Sequence, residues 1–346
     1  MPEIPWRNPL AKPLIDPTTP KEPMNKRTIA LSIAAAATAV LLVGCGTTED
    51  TGSAASGGDA AISITDDRGQ VISLDAPASR VVALEWNTAE NLVALGVMPV
   101  GVADVEGYGT WVKAENLDKS VTDVGQRGEP SIDAIAGLAP DLVLTTSDLS
   151  EAAIAQIEEF APVLVVRGAN ASDAIGQMEK NLNNIATATG TEEEAATLVD
   201  AFDAKVAEGK AAVEKAGLTG TEFFMNDAWA SSGQVSIRPF AQGALLAEIT
   251  EELGMVNAWK GEGDADYGLG STDVEGLTAL GDVNFFYIAT EGMDVYQNEL
   301  ASNAVWTSLP FVQSGKVHRL ADGIWMFGGP SSMNDYIDAV IAVVSK

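Results

Sequence analysis

The sequence predicts an α/β protein with two lobes, each organised around a mostly parallel sheet, and a helical segment between them. Three features of the chain predict this fold class. Short apolar strands alternate with helical segments from residue 80 to residue 166, which is typical of βα units. Residues 172–216 show no strand pattern, and the alternation of strands and helices resumes at residue 221.

The N-terminal lobe is predicted to span residues 61–172 and to begin with two alternating strands around a turn at residues 67–69. A short helix capped by Asn87 or Thr88 is expected to end at Gly96, because glycine commonly follows the last helical turn. The remaining predicted strands are 80–84, 97–102, 121–124, 141–145 and 162–166, and the remaining predicted helices are 130–138 and 152–160.

The helical bridge is predicted to span residues 173–218. One helix is expected to start at Ser172 and to stop at Gly190. A second helix is expected from Thr191 to Ala216, because acidic residues occupy its first turn and lysines lie near its end, which complements the helix dipole. Apolar residues at helical spacing along this segment indicate packing along one face.

The C-terminal lobe is predicted to span residues 219–346. Residues 131–144 and 272–285 echo each other, because both have the pattern of an acid-capped helix followed by a strand. This echo indicates two related lobes. The predicted strands are 221–225, 284–289 and 316–320, and the predicted helices are 241–253, 273–280 and 331–344.

The start of the chain has the pattern of an export signal rather than a membrane span. Residues 1–44 combine a proline-rich upstream extension, a positive head at Lys26 and Arg27, and an uncharged apolar stretch too short to cross a bilayer. Cys45 ends this stretch in a sequence that resembles the lipobox of bacterial lipoproteins, where the thiol receives a lipid. Residues 45–60 follow as a flexible tether. The expected location is the extracytoplasmic face of the cell membrane; a plain signal peptide with a chance cysteine is the alternative.

Composition excludes several classes of function. The chain has 49 acidic and 20 basic residues and a formal net charge of −29, so its field repels nucleic acid. Its one histidine, His318, lies in a predicted strand without a neighbouring nucleophile, and a metal site built on several histidines cannot be assembled. Neither a P-loop nor a Gly-x-Ser-x-Gly motif is present. We therefore predict no catalytic residue and no directly coordinated metal ion, so the chain is not expected to be an enzyme.

Aromatic residues and arginines follow several predicted strands at the point where each strand ends. Ligands bind at the carboxyl ends of strands in open α/β sheets, so these residues are candidates for a binding site. Aromatic walls with a few arginines suit a bulky, partly apolar ligand that carries oxygen acceptors. A core position is the alternative for each tryptophan, whereas an arginine flanked by glycines is seldom a core residue. The candidates are Trp86, Tyr108, Trp111, Arg127, Trp229, Arg238, Tyr267 and Trp325.

Several of these stretches resemble one family. Residues 82–104, 108–112 and 123–131, together with shorter motifs as far as Pro330, are similar to ferric-siderophore binding proteins, and most of all to the ferric-hydroxamate branch. The resemblance implies two α/β lobes joined by a single long bridging helix, with the ligand in the shallow cleft between them. Residues 191–216 would form that helix. It also implies that the protein is the lipid-anchored substrate-binding component of an ABC importer.

The resemblance assigns roles to individual residues. Arg127 matches the arginine that hydrogen-bonds the iron-bound hydroxamate oxygens, and Trp86 and Trp111 match pocket aromatics of the first lobe. Tyr267 falls where hydroxamate binders have a second-lobe tryptophan. The family has a first-lobe tyrosine in the turn after the strand that contains residues 142–145. Here residues 147–149 occupy that turn, and none of them is a tyrosine. Iron would enter already caged by the chelator, so no cofactor is expected.

Delivery of the ligand implies partners at the membrane. In the family, one carboxylate on each lobe pairs with arginines of the permease, and the matching positions are Asp133 and Glu275. The expected partners are the ferric siderophore, the ABC permease and ATPase subunits and, through a lipid on Cys45, the membrane itself. The protein is expected to act as a monomer.

More than one ligand is compatible with the sequence. A ferric hydroxamate or citrate-hydroxamate siderophore is the leading expectation, and ferric citrate, haem or cobalamin are alternatives for the same kind of binding protein. Haem or cobalamin would use His318 or a tyrosine as an axial ligand. Catecholate siderophores are more anionic and fit the small number of arginines less well. A surface lipoprotein that senses without transport is the alternative from a different class.

Overall fold

Two sheets organise the protein in the computed structural model, which describes residues 62–290 and 292–346. Within these residues, one five-stranded sheet comes from the chain before residue 167, and the other comes from the chain after residue 221. The predicted arrangement of two α/β lobes with a helical segment between them is therefore confirmed. The predictions for the export signal, for Cys45 and for the tether concern residues outside the described ranges.

The first lobe holds a parallel sheet flanked by short helices. Its strands are β1 (Ile62–Thr65), β2 (Val71–Leu74), β3 (Val81–Ala83), β4 (Gly101–Val102), β5 (Thr122–Asp123), β6 (Gly125–Gln126), β7 (Glu129–Pro130), β8 (Leu142–Thr146) and β9 (Val163–Val166). Its helices are α1 (Trp86–Ala94), α2 (Val105–Trp111), α3 (Ile132–Gly137) and α4 (Glu151–Glu158). The sheet order is β5-β4-β3-β8-β9 with parallel neighbours, while β1–β2 and β6–β7 form separate antiparallel hairpins.

Burial explains why the central strands of this sheet appear in the sequence as continuous apolar runs. Every residue of β3, β8 and β9 is buried, as expected for a parallel sheet that is covered on both faces. Because the strands are parallel, their carboxyl ends meet at one edge of the sheet. Side chains that follow β3, β4, β5 and β8 are therefore neighbours in space.

Helix α1 begins earlier than the sequence predicts. The Glu85 carboxylate accepts a hydrogen bond from the Trp86 N–H at 3.0 Å, so Glu85 is the N-cap. The predicted caps Asn87 and Thr88 are instead buried within the helix. The prediction was wrong because asparagine and threonine are the commoner caps. As a result, Trp86 lies in the first helical turn, directly after the loop that ends β3.

Helix α2 is not predicted by the sequence pattern, because Gly107 and Gly109 are typical of a loop. Asp104 caps it in a left-handed conformation with a φ angle of 56°, and its carboxylate accepts a hydrogen bond from the Gly107 N–H at 3.0 Å. The helix packs closely over Trp86. A Cβ atom at position 107 would lie 2.5 Å from the Trp86 ring, so only glycine fits there.

The two bridging helices are α5 (Ala174–Thr189) and α6 (Glu192–Lys215), close to the predicted bounds. Gly190 separates them with a φ angle of 69°, a conformation that favours glycine. Helix α6 has 24 residues and is therefore about 36 Å long. It packs against the C-terminal helix so closely that a Cβ atom at Gly209 would lie 2.7 Å from the Ile337 side chain.

The second lobe holds a mixed sheet. Its strands are β10 (Glu222–Ser231), β11 (Gln234–Pro239), β12 (Val256–Asn257), β13 (Asn284–Ile288) and β14 (Val317–Arg319). Its helices are α7 (Leu245–Glu252), α8 (Ala304–Ser308), α9 (Pro310–Gln313) and α10 (Pro330–Val344). The order is β11-β10-β13-β14, with β12 also beside β10. Only the β10–β11 pairing in this sheet is antiparallel among the described residues.

The hairpin of β10 and β11 differs from the predicted short strand at residues 221–225. The strand continues to Ser231 and returns through a turn at Ser232 and Gly233, whose φ angles are 51° and 78°. Two consecutive positive φ angles are typical of a type I′ turn, for which a Ser-Gly pair is a usable sequence signal. The longer hairpin carries Trp229 beyond the last residue pair of β10 with β13 and places Arg238 across from Asp227.

The prediction of a helix at residues 273–280 is also wrong. This segment forms a single 3₁₀ turn at Gly276–Ala279, with the Asp273 carboxylate accepting a hydrogen bond from the Gly276 N–H at 2.9 Å. Glycine is a weak helix former, which explains why the turn does not extend. The echo between the two lobes is therefore only partial, since α3 is a true helix.

A buried glutamate side chain joins the two lobes. Glu90 lies in α1 with no exposed surface, and it accepts hydrogen bonds from the backbone N–H groups of Gly329 and Ser332 and from the Ser332 hydroxyl, at 2.8–3.1 Å. These donors lie at the start of α10, so Glu90 of the first lobe caps the last helix of the second. Burial raises the pKa of Glu90 to about 8, while the three hydrogen bonds act in the opposite direction.

Replacing Glu90 with glutamine should change how stability depends on pH. The folded protein retains the Glu90 proton up to a pH of about 8, whereas the unfolded chain releases it near its ordinary pKa of 4.5. The unfolded state therefore binds fewer protons between these values. The free energy of unfolding falls as the pH rises through this range, by at most about 5 kcal/mol for this group.

The measurement is urea denaturation of the parent protein and of Glu90→Gln at several values from about pH 5 to about pH 8. The variant should lose less stability across this range, because it cannot titrate. Glu193→Gln, at an exposed position in the first turn of α6, is the matched control and should follow the parent. Parallel curves for the parent and Glu90→Gln would contradict the assigned titration.

Candidate ligand-binding site

Arg127 lies at the tip of the β6–β7 hairpin, just after β5 at the edge of the first sheet where the parallel strands have their carboxyl ends. Gln126 pairs with Glu129, which leaves Arg127 and Gly128 as a two-residue loop. Gly125 and Gly128 have φ angles of 103° and 78°, which explains why glycines flank the arginine. The hairpin therefore fixes the backbone position from which the Arg127 side chain extends.

One carboxylate and two indole rings hold the guanidinium of Arg127. Its Nη1 lies 3.2 Å from the Glu85 carboxylate, and only 13% of its side chain is exposed. Its Cζ lies 3.8 Å from the centroid of the Trp86 ring and 5.0 Å from that of the Trp325 ring. The two indoles meet edge to face with centroids 4.8 Å apart. Each cation–π contact contributes about 0.5–2 kcal/mol, depending on desolvation, so the guanidinium is well fixed.

The second lobe presents a similar arrangement around Arg238. Arg238 in β11 lies directly across from Asp227 in β10, and its Nε and Nη2 donate hydrogen bonds to the two Asp227 oxygens at 2.8 and 2.6 Å. Trp229 follows Asp227 on the same face of β10, and its ring lies 5.7 Å from the Arg238 Cζ. The Phe327 ring lies 5.4 Å from the same atom. The bidentate pair fixes the orientation of the guanidinium beside both rings.

Phe327 and Tyr267 connect the two arginine sites. The Phe327 ring lies edge to face with both Trp325 and Tyr267, at 5.2 and 5.4 Å. The Tyr267 hydroxyl donates a hydrogen bond at 2.5 Å to Asp148, which lies in the turn after β8 of the first lobe. Residues of both lobes thus form one connected group, here named the arginine–aromatic cluster. Its members are Trp86, Arg127, Trp229, Arg238, Tyr267, Trp325 and Phe327.

Burial and neighbouring charges determine the ionisation of the groups in and beside the cluster. Burial raises the pKa of Glu85, Arg127 acts in the opposite direction, and Asp148 and Asp104 add to the increase. Burial raises the pKa of the Tyr267 phenol well above its ordinary value, and the Asp148 carboxylate adds to this effect. Tyr267 is therefore a hydrogen-bond donor at neutral pH. The Asp148 charge therefore raises the pKa of one group in each lobe, Glu85 in the first and Tyr267 in the second.

The structure brings together six of the eight ligand-binding candidates in the arginine–aromatic cluster. Trp111 is half-buried and packs against the apolar core that contains Trp86 and Trp325. Tyr108 is different, because it has only 1% of its surface exposed and its hydroxyl donates to the Glu115 carbonyl oxygen at 2.9 Å. The expectation that Tyr108 lines the pocket is corrected: helix α2 buries a ring that a loop would have exposed.

The remaining predicted residues lie outside the cluster. Asp133 is exposed in the first turn of α3, and Glu275 is exposed at the start of the 3₁₀ turn. Their role in docking stays a prediction. His318 lies half-buried in β14, where burial lowers its pKa and its ring lies 5.5 Å from that of Phe286. Cys45 lies outside the described residues.

Sequence reasoning did not select four residues that complete the site. Glu85 directly precedes Trp86, and Phe327 follows Trp325 by two positions. Asp227 alternates with Trp229 along a strand, so the two-residue period would have placed both on one face. Asp148 follows a buried strand, where the strand-end rule applies. The four residues are Glu85, Asp148, Asp227 and Phe327.

A small cavity adjoins the cluster. It has a volume of about 20 Å³ and is lined in part by Asn87, Gln177, Tyr267 and Phe327. This space accommodates about one water molecule, so a large ligand would have to contact the outer surface of the cluster. Within residues 62–290 and 292–346, no group of three or more His, Cys, Asp or Glu side chains is placed to hold a metal ion. The same residues include no helix that is long and apolar enough to span a bilayer.

Comparison with known proteins identifies the family. A sequence model described as periplasmic binding protein matches residues 81–322, which is more than half of the chain. The chain belongs to the periplasmic binding protein family. The prediction of a binding protein rather than an enzyme is confirmed by this family and by the relatives of the chain.

Two curated relatives and one solved structure illustrate the similarity of this binding protein to others. The iron(3+)-hydroxamate-binding protein FhuD of Escherichia coli K12 is 28% identical over 265 residues, which cover 75% of this chain and 84% of the relative. The probable siderophore-binding lipoprotein YfiY of Bacillus subtilis 168 is 25% identical over 277 residues, which cover 77% and 82%. The Fe3+-Desferal-bound siderophore binding protein FhuD from Vibrio cholerae superposes with a TM-score of 0.69 at 23% identity, covering 77% of this chain and 98% of its own. At that identity, the superposition shows a shared fold.

Removing the hydrogen bond between Tyr267 and Asp148 should weaken the contact between the lobes. Tyr267→Phe keeps the ring contact with Phe327 and removes only the donor, which should lower the free energy of unfolding by about 1 kcal/mol. Urea denaturation of Tyr267→Phe, Asp148→Ala and the double variant measures the coupling between the two groups, because alanine removes the acceptor. Strictly additive effects would show that the two groups are not coupled and would contradict a stabilising hydrogen bond between them.

Proposed function

We propose that this binding protein is the substrate-binding component of an ABC importer for ferric siderophores. The observation that carries the proposal is the guanidinium of Arg127, fixed over Trp86 and Trp325 at the carboxyl ends of the strands. Membership of the periplasmic binding protein family supports a role in uptake. The relatives named for hydroxamate and siderophore binding support the ligand class.

Recognition follows from the chemistry of a caged metal. The iron of a ferric siderophore is already surrounded by chelator oxygens, so the protein needs donors for those oxygens and apolar surface for the chelator backbone. A guanidinium carries five N–H donors, and the Glu85 carboxylate contacts Arg127 only through Nη1. The remaining donors are suited to iron-bound oxygens, with which they form charge-assisted bonds. The partly exposed rings of Phe327 and Trp229 supply the apolar surface, while Trp86 and Trp325, which are 5% and 7% exposed, hold the guanidinium from the core side.

Within this class we favour a ferric hydroxamate or citrate-hydroxamate siderophore. Ferric citrate, haem and cobalamin are the alternatives. His318, which with a tyrosine is an expected axial ligand for haem, lies in β14, packs against Phe286 and is not a member of the cluster. Haem binding through this residue would therefore leave the arginines and tryptophans of the cluster without a role.

The proposed location is the extracytoplasmic face of the membrane. Lipid on Cys45 would anchor the chain, and residues 46–60 would separate the anchor from the folded part. A relative named as a lipoprotein supports this assignment. A sensing lipoprotein without transport would share the anchor, so a loss of siderophore uptake on deletion of the protein distinguishes the importer component from it.

Arg127→Ala should weaken binding of a ferric hydroxamate by about tenfold or more, because a charge-assisted hydrogen bond contributes about 1.5–3 kcal/mol. The measurement is quenching of tryptophan fluorescence in the full chain by ferrioxamine, ferrichrome, a citrate-hydroxamate complex, ferric citrate and a catecholate complex. Arg80→Ala is the matched control, since Arg80 is exposed and lies at the opposite end of β3. Unchanged affinity in Arg127→Ala would remove this residue from the site. Absence of quenching by every ferric complex would overturn the proposed function.

Charge reversal at Asp133 and Glu275 should abolish siderophore uptake while leaving affinity for the ligand intact. Both carboxylates are exposed, one on each lobe, and can pair with basic residues of a permease. Uptake of iron-labelled siderophore is measured in cells whose only copy of the protein carries Asp133→Lys and Glu275→Lys. Lysine at Asp200, exposed on α6, is the matched control. A loss of ligand affinity in the double variant would mean that the two residues support the fold instead.

A further inference from the structure

The arginines of the cluster are already matched by carboxylates. Arg127 pairs with Glu85, and Arg238 pairs with Asp227 through two hydrogen bonds. Asp148 adds a third carboxylate, which lies beside Tyr267 of the cluster. It accepts hydrogen bonds from the hydroxyls of Tyr267 and Thr146, and it forms no ion pair with a basic side chain of the described residues.

We infer that the site selects ferric siderophores by net charge, and that Asp148 and Glu85 are specificity-determining residues. The inference rests on the proposed function and narrows its ligand class to hydroxamate complexes that are neutral or positively charged. Three hydroxamates balance the charge of ferric iron, and a free amino group on the chelator makes the complex cationic. Carboxylates of citrate or ionised catechols make a complex anionic.

The balance of charges at the site disfavours an anion. Two guanidinium groups face three carboxylates, so a negatively charged complex meets a repulsion that a neutral or cationic complex does not. The paired arginines still donate hydrogen bonds to neutral oxygens, because one carboxylate contact leaves N–H groups of Arg127 available. Asp104 lies close enough to Glu85 to influence its ionisation, and it adds charge of the same sign. The net charge of −29 on the chain acts in the same direction at long range.

Three forms of one ligand isolate the effect of charge. Ferrioxamine B carries a free ammonium group away from its iron cage, its N-acetyl derivative is neutral, and its N-succinyl derivative is anionic. The iron cage is the same in all three. Fluorescence titration of the full chain at low ionic strength should give affinities that fall from the cationic to the anionic complex, by about tenfold or more in total. Added salt should reduce this difference, because it screens charge.

Two substitutions test the assigned residues. Asp148→Asn removes the charge and keeps an oxygen that can accept the hydrogen bond from Tyr267. It should reduce the ratio of cationic to anionic affinity by about tenfold. Glu85→Gln should change the ratio in the same direction, because it leaves the Arg127 charge uncompensated. Asp200→Asn removes one exposed charge from α6, outside the cluster, and should keep the parent ratio.

The outcomes separate this inference from the proposed function. Equal affinities of the parent for the three complexes would overturn the inference alone, because a ferric hydroxamate still binds. A parent ratio retained in both Asp148→Asn and Glu85→Gln would also overturn it. A ratio that falls equally in Asp200→Asn would assign the selectivity to total charge and overturn the role of the two residues. Binding of none of the three complexes would overturn the proposed function, and this inference with it.

Discussion

The buried side chain of Glu90 ties the start of the last helix of the second lobe to the first lobe. It holds the backbone of Gly329 and Ser332, and Trp325 and Phe327 lie only a few residues before these positions. The edge-to-face contact of Trp325 with Trp86, and with it the position of Arg127, therefore depends on a cap at the start of α10. The hydrogen bonds of the buried Glu90 thus support the geometry of the arginine–aromatic cluster, although Glu90 is not a member of it.

Pairing with carboxylates gives the two arginines fixed positions. A guanidinium that stands free explores many rotamers and loses that freedom when a ligand binds, whereas Arg127 and Arg238 have largely lost it in folding. The same pairing reduces the positive charge that a ligand meets. Preorganisation and weak attraction for anions are therefore two effects of one arrangement, the Glu85 and Asp227 carboxylates beside the guanidinium groups.

Sequence reasoning succeeds where one local signal dominates. The buried runs of β8 and β9, the glycine stop at Gly190 and the strand-end position of Arg127 are signals of this kind, and each agrees with the structure. It fails for Tyr108, because tertiary packing over Trp86 turns a glycine-rich loop into α2. The partnership of Asp148 with Tyr267 could not be predicted, since the two residues are 119 positions apart and meet only through the packing of the two lobes.

Asp148 also bears on the oxidation state of a bound complex. Reduction of ferric to ferrous iron adds one negative charge to the complex while the chelator stays the same. A nearby carboxylate without a basic partner among the described residues opposes that change, so it disfavours the reduced complex relative to the oxidised one. Under the proposed function, reciprocal linkage means that the Asp148 charge lowers the reduction potential of a bound ferric complex, whereas the Arg127 guanidinium acts in the opposite direction.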